Sequence, residues 1–384
     1  MERGWTYCKT SADRKSICKL KMAAPAAVLP QIALIGAGYF ARTTYIKNLR
    51  QITDRVTLKA IWDLTEEASR ALVELARDFA PQVECKWGEK GLNDIMSDDL
   101  IIGVAVVVAG QALVDVSLRM IKAGKHVLQE KPAALTVSQG DRALSTYNSI
   151  RNNSPYPIWA LAENYRFEPA FVEAKKLVKE VGDVLNIKVA IEGYLNSSNP
   201  FFSSGWRRNL STGFLLEMAV HFIAGLRMII DSEIKTVSSI ARHVNKALPP
   251  FDTMCTVFQL ENGCAGVYAM VVWSVAPKLM WRVDGTKGAL QIELNSEFGD
   301  FVVSFFSADG QCQTNHYPMI GVIEDLKAFV HDITQATNKD AAVGFKPEER
   351  LSYVEGLRDI AVIEAMLESN ANNGAQTFVK KFEF

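Results

Sequence analysis

Apolar and polar positions change rhythm along this chain, and the rhythm divides it. From Pro30 short all-apolar runs alternate with amphipathic stretches. Ile32-Ala33-Leu34-Ile35 is one such run, the mark of a strand buried on both faces of a parallel sheet. A helical stretch follows to about Gln51, then a strand from Val56 to Trp62 that ends in Asp63. Thr65 to Phe79 repeats Ala68, Leu72, Leu75 and Ala76 at helical spacing. Leu100 to Ala109 reads as a buried strand, since ten residues fall short of the ~20 that span a bilayer. Ala112 to Ala123 reads as a helix stopped at Gly124, and Lys125 to Leu128 as a further strand. Strands alternating with helices at this pitch predict a doubly wound parallel sheet of the α/β class.

The period changes after Ser154-Pro155-Tyr156-Pro157. Helices are predicted over Pro169 to Val181 and Gly213 to Ile230. Strands are predicted at 184–194, 236–244, 253–260, 264–273, 280–283, 289–294 and 301–306, with Gly-containing turns at 261–263 and 284–288. Strands joined by short Gly turns pair antiparallel. Two late helices follow, at about 320–336 and 347–369. The expected organisation has three parts: an N-terminal extension (1–29), a nucleotide-type α/β domain (30–155), and an α+β domain with a large, mainly antiparallel sheet (156–384).

Composition narrows the function classes. The 384 residues carry 42 Lys+Arg against 43 Asp+Glu, so no global charge draws the chain to nucleic acid or an anionic membrane. With 48% hydrophobic residues, most of the chain has apolar surface enough to fold. The six cysteines include no C-x-x-C pair, which leaves neither a zinc site nor a dithiol motif visible. No apolar leader precedes the fold, so reducing cytoplasm is the expected compartment. The first 29 residues hold six Lys/Arg and two acids. An extension upstream of Met22, an organellar targeting peptide and a flexible arm all fit. Sparse Ser, together with Glu2 and Asp13, counts against targeting and favours a disordered extension.

Residues 36–41 read G-A-G-Y-F-A between a strand and a helix. Gly36 permits the tight turn, Gly38 lets a pyrophosphate approach the backbone, and Ala41 allows close helix–strand packing. The helix beginning at Tyr39 and Phe40 offers free N–H groups to phosphate. Asp63, 22 residues past Ala41, stands where a carboxylate grips the ribose hydroxyls. It would repel a 2′-phosphate, and Leu64 and Thr65 follow it rather than Arg or Lys. NAD is therefore the expected cofactor, ahead of NADP.

A second strand end carries chemistry. Gly124 to Pro132 reads G-K-H-V-L-Q-E-K-P, which puts Glu130 and Lys131 at the carboxyl edge of the parallel sheet, where α/β folds bind ligands. Alone, a lysine there is usually a solvated charge. The strand, the G-A-G-Y-F-A turn and the E-K-P run in this order resemble the Gfo/Idh/MocA oxidoreductases, the family of glucose–fructose oxidoreductase and inositol 2-dehydrogenase. The resemblance spans about residues 31–370 and is reinforced by Ala162-Glu163-Asn164-Tyr165-Arg166-Phe167, by Trp206-Arg207 and by the 285–288 turn. It implies a Rossmann domain followed by a domain whose open sheet serves oligomer contacts, in a homo-dimer or homo-tetramer. It implies that Lys131 lies beside the nicotinamide and the reacting hydroxyl, that its bond to Pro132 is often cis, and that Glu130 adjoins the cofactor. One departure concerns the loop over the cofactor. The family's strand usually runs into a Thr-Pro or similar loop, whereas here Ile102 to Val108 continues into Ala109-Gly110-Gln111.

Gly213 to His221 reads G-F-L-L-E-M-A-V-H, so Glu217 and His221 share a helix face in apolar surroundings. A structural pair inside a core would explain them equally well. A metal site would not, since neither H-E-x-x-H nor a third ligand is visible. The resemblance implies D-x-x-x-H here, with the His as proton acceptor, and Glu217 replaces that Asp. The reading is hydride transfer between NAD(P) and a secondary alcohol of a sugar, inositol or related polyol or diol. Lys131, His221 and Glu217 are the candidate catalytic residues, and Tyr165, Arg166, Trp206 and Arg207 the candidate substrate wall. Two other readings stay open, an NAD-dependent glycosidase on the same scaffold and a non-catalytic NAD(P)-binding regulator.

Overall fold

The computed structural model describes residues 29–151, 157–195, 199–201, 205–208, 213–338 and 344–383. The expected N-terminal extension, up to residue 28, and the expected boundary at 155/156 lie outside them. Among the described residues the chain builds two sheets, one of six strands and one of nine.

The first sheet starts with β1 (Gln31–Ile35). The chain then turns helical at Tyr39, passes a π-helical turn at Ala41–Tyr45 and ends that helix as α1 (Ile46–Arg50). β2 (Thr57–Asp63), α2 (Glu66–Ala76), β3 (Glu84–Trp87), α3 (Gly88–Ser97), β4 (Ile101–Val106), α4 (Gly110–Lys122), β5 (His126–Glu130), α5 (Val137–Arg151) and β6 (Trp159–Ala162) follow. Every strand pair is parallel, in the order β3-β2-β1-β4-β5-β6. Side chains alternate across the pleat. Ile32 and Leu34 pack with α1 and α2, while Ala33 and Ile35 pack with α3, α4 and α5. The sheet therefore runs past residue 156, because α5 carries the chain back to add β6 alongside β5.

α6 (Pro169–Leu177) leads into the second sheet through β7 (Val184–Tyr194). The short α7 (Gly205–Arg208) and the long α8 (Gly213–Ile230) come next. Then follow β8 (Ile234–Arg242), β9 (Thr253–Leu260), β10 (Ala265–Val271), β11 (Trp273–Gly285), β12 (Gly288–Asn295), β13 (Asp300–Ser307) and β14 (Cys312–Pro318). α9 (Gly321–Thr337), α10 (Tyr353–Ala371) and the two-residue β15 (Thr377–Phe378) end the described chain. The order is β14-β13-β12-β11-β7-β10-β9-β8-β15, antiparallel apart from the parallel β7–β10 pair. One face packs on α6, α8 and α10, which make it continuous with the core beneath α4 and α5. α9 returns to the first sheet, where Leu326, Phe329, Val330 and Ile333 join the face that holds Ile32 and Leu34. The two halves thus share cores, and the carboxyl ends of β1, β4, β5 and β6 open toward α8.

Candidate active site

A cleft of about 720 Å³ lies over those strand ends. The dinucleotide turn forms one side. Gly36 has φ +110°, and a Cβ there would stand 2.2 Å from the Val107 carbonyl oxygen, so only glycine fits the crossing of β1 and β4. A Cβ on Gly38 would meet nothing within 4 Å, which leaves open space before the backbone where a pyrophosphate needs it. Asp63 closes the end of β2, its Oδ2 accepting the Ala37 N–H at 2.8 Å. Ala41 is buried, as its packing role requires, and Tyr39 and Phe40 line the cleft. These features fit a dinucleotide: Gly36, Gly38 and Asp63 would hold its pyrophosphate and ribose. Val107, Val108 and Ala109 also line the cleft, so the segment that departs from the family's loop still borders it.

The far side comes from β5, β6 and α8. Lys131 follows β5 and is joined to Pro132 by a cis peptide. Its Nζ donates to the Glu217 carbonyl at 3.1 Å and lies 3.5 Å from Glu217 Oε1. Glu217 also accepts from Arg207 Nε at 2.6 Å. Burial raises the Glu217 carboxyl, but Lys131 and Arg207 outweigh it and hold the group below the usual carboxylate range. His221, one turn further along α8, lines the same cleft as Lys131. The Tyr165 ring lies against the His221 ring, 5.2 Å between centroids.

His221 does not bond to Glu217. Its Nδ1 is 2.7 Å from Oε1 of Glu163, a fully buried residue just past β6. The sequence marks Glu163 only as part of the Ala162–Phe167 run, and the tertiary fold reveals its pairing, because its bonding partner is 58 positions away. Below these groups Glu130 accepts the Tyr45 O–H at 2.7 Å, and burial pushes its carboxyl up to about 7. Glu130 therefore lines the cleft with its carboxyl held above the usual carboxylate range.

The expected substrate wall divides. Tyr165 and Arg207 line the cleft, and Trp206 falls on α7 next to Arg207. Arg166 does not line it. Its guanidinium turns away, pairs with buried Asp359 and donates to the Glu355 carbonyl at 3.2 Å. An arginine beside the site is thus spent on tying β6 to α10. Among the described residues no His, Cys, Asp or Glu group is arranged to hold a metal ion. No described helix is long and apolar enough to cross a membrane.

Known proteins share this plan. Residues 31–152 match the model of the oxidoreductase family with an NAD-binding Rossmann fold, and residues 171–291 match the Gfo/Idh/MocA C-terminal domain. The dehydrogenase FPY6 of Fusarium mangiferae is 30% identical over 91% of this chain and 99% of its own. The chain belongs to the Gfo/Idh/MocA oxidoreductase family. This oxidoreductase is also similar to the myo-inositol 2-dehydrogenase of Thermotoga maritima, 25% identical over 62% of this chain and 67% of that one. Its fold matches an inositol dehydrogenase homologue of Azotobacter vinelandii solved with NADH and myo-inositol, at TM-score 0.76, 16% identity, and coverage of 92% of this chain and 98% of that one. As a Gfo/Idh/MocA member with a nicotinamide-binding Rossmann domain it is a dehydrogenase-type enzyme.

Proposed function

We propose that this Gfo/Idh/MocA oxidoreductase moves a hydride between NAD(H) and a secondary alcohol carbon of a sugar, inositol or related polyol. The observation that carries the reading is a shared cleft: Lys131 from the parallel sheet and His221 from α8 border one space with the dinucleotide turn. Relatives named for inositol and levoglucosan support the polyol class. Bound nicotinamide supplies the hydride acceptor or donor. The chain's part is the proton. Nε2 of neutral His221 takes the hydroxyl proton in the oxidative direction. Lys131 Nζ donates a hydrogen bond to the same oxygen and stabilises its growing negative charge. Glu217, held ionised between Lys131 and Arg207, fixes the lysine and accepts from a neighbouring substrate hydroxyl. Tyr165 and Arg207 form the wall, with Trp206 adjoining. Asp63 disfavours a 2′-phosphate, so NAD(H) is preferred to NADP(H).

The test is a screen of sugars, inositols and diols with NAD and NADP on the full chain, read by nicotinamide absorbance. Turnover on at least one polyol is expected, with NADH bound more tightly than NADPH. Lys131→Ala and His221→Ala should each cut kcat by about 10²–10⁴-fold. Full turnover by both variants on a confirmed substrate would overturn the mechanism.

A further inference from the structure

The acid four residues before His221 is the obvious partner for a proton-accepting imidazole, and the fold gives it other work. Glu217 is held by Arg207 and Lys131. The side chain that meets His221 Nδ1 is Glu163, at 2.7 Å, from the turn after β6. Glu163 is 0% exposed, and its Oε2 has no hydrogen-bond partner among the described residues. Burial would raise its carboxyl, but the adjacent His221, then Arg166 and Lys131, hold it below the usual range. An ionised carboxylate can only accept, so the shared hydrogen belongs to Nδ1.

We infer that Glu163 is the positioning residue of the proton-accepting base, fixing the His221 tautomer so that Nε2 faces the cleft with its lone pair free. The inference rests on the proposed role of His221 and extends it. As Nε2 takes a proton the ring becomes a cation, and the buried carboxylate beside it stabilises that charge without entering the reaction. An orphaned second oxygen strengthens the point. A carboxylate buried only to cap the turn at Tyr165 would satisfy both oxygens, whereas Glu163 gives Oε1 to the imidazole and to the Tyr165 N–H at 3.2 Å and leaves Oε2 unpaired among the described residues.

The ring's surroundings are accounted for. Tyr165 stacks on it, and Glu217 faces it from its own helix. Around Glu163 stand the cations Lys131 and Arg166 and the acids Glu130, Glu168, Asp325 and Asp359. Among these groups only Glu163 bonds to the ring.

The experiment uses the full chain and the variants Glu163→Gln, Glu163→Asp and His221→Ala. In protein without cofactor, imidazole nitrogen shifts should report hydrogen on Nδ1 of His221. In Glu163→Gln, whose neutral amide can donate as well as accept, the nitrogen shifts should report a growing share of hydrogen on Nε2. On a confirmed substrate kcat should fall by about 10²–10⁴-fold with KM within about threefold, and the acid limb of kcat/KM should shift to lower pH. Glu163→Asp, which keeps the charge on a shorter arm, should recover part of kcat. Should the Gln variant not fold, the Asp variant tests the positioning alone: kcat should fall about tenfold with KM little changed, and an unchanged kcat would overturn the inference. Unmoved imidazole nitrogen shifts with unchanged kcat in Glu163→Gln, while His221→Ala abolishes turnover, overturn the inference and leave the base standing. Full turnover by His221→Ala removes the reading beneath it instead.

Discussion

Glu130 shows how one buried side chain ties stability to pH. An ordinary glutamate ionises near 4.5, whereas burial in the fold pushes Glu130 up to about 7. Between those values the unfolded chain has given up this proton and the folded chain still holds it. Its contribution is therefore full below the lower value and is lost as pH rises through the upper one, by about 3 kcal/mol in all. Melting curves of Glu130→Gln and the parent should accordingly diverge, the parent losing more Tm between about pH 5 and about pH 8. Parallel curves would count against a protonated Glu130. At this scale the chain was unevenly legible. Lys131 could be picked out because the Glu130-Lys131-Pro132 run, in order after the G-A-G-Y-F-A turn, resembles the family; alone, a lysine at a strand end reads as a solvated charge. Arg166 and Arg207 looked equivalent as letters, and only their partners, Asp359 for one and Glu217 for the other, separate a tie between elements from a cleft residue.

Elements with one strongly apolar face announced themselves. β1, β7, β9 and α8 were readable because burial forces their pattern: both faces apolar in β1, alternation in β9, and an apolar surround in α8. β3 and β14 were not, since edge strands with half-buried or exposed side chains leave no apolar run. α5 was missed for the same reason; few of its residues are buried. The dinucleotide turn belongs to this scale too, because its geometry comes from two strands meeting. Gly36→Ala puts a methyl against the Val107 backbone at a φ of +110°. Backbone cannot yield as a flexible side chain can, so the turn must shift, at a cost of about 1–3 kcal/mol. Titration calorimetry with NADH should show affinity weakened by tenfold or more, and an unchanged Kd would mean that the turn does not cradle the cofactor.

At the scale of the molecule, one face of the nine-stranded sheet lies under helices and the other carries exposed apolar side chains. Val257 and Val267 sit opposite each other on β9 and β10, 57% and 44% exposed, and Ile240 on β8 is 52% exposed. An open apolar sheet face of this kind favours association. We propose that a second copy of this chain covers it, as the family resemblance implies. Sedimentation should find a dimer or tetramer, and Val257→Glu with Val267→Glu should release monomers without altering the cleft. A wild-type monomer at micromolar concentration would refute this.

The chain's letters determined what local chemistry demands. They set a Gly-rich turn after a buried strand, a lysine before proline at a sheet edge, an acid and a histidine one turn apart, and a switch from parallel to antiparallel patterning. Tertiary structure decided which charges meet. It gave Glu217 to Arg207 and Lys131, gave His221 to Glu163, withdrew Arg166 to Asp359, and returned α9 to the first sheet. The reason is physical. Burial patterns are written in neighbouring residues, whereas a buried charge is satisfied by whatever partner the packing of distant elements brings within reach.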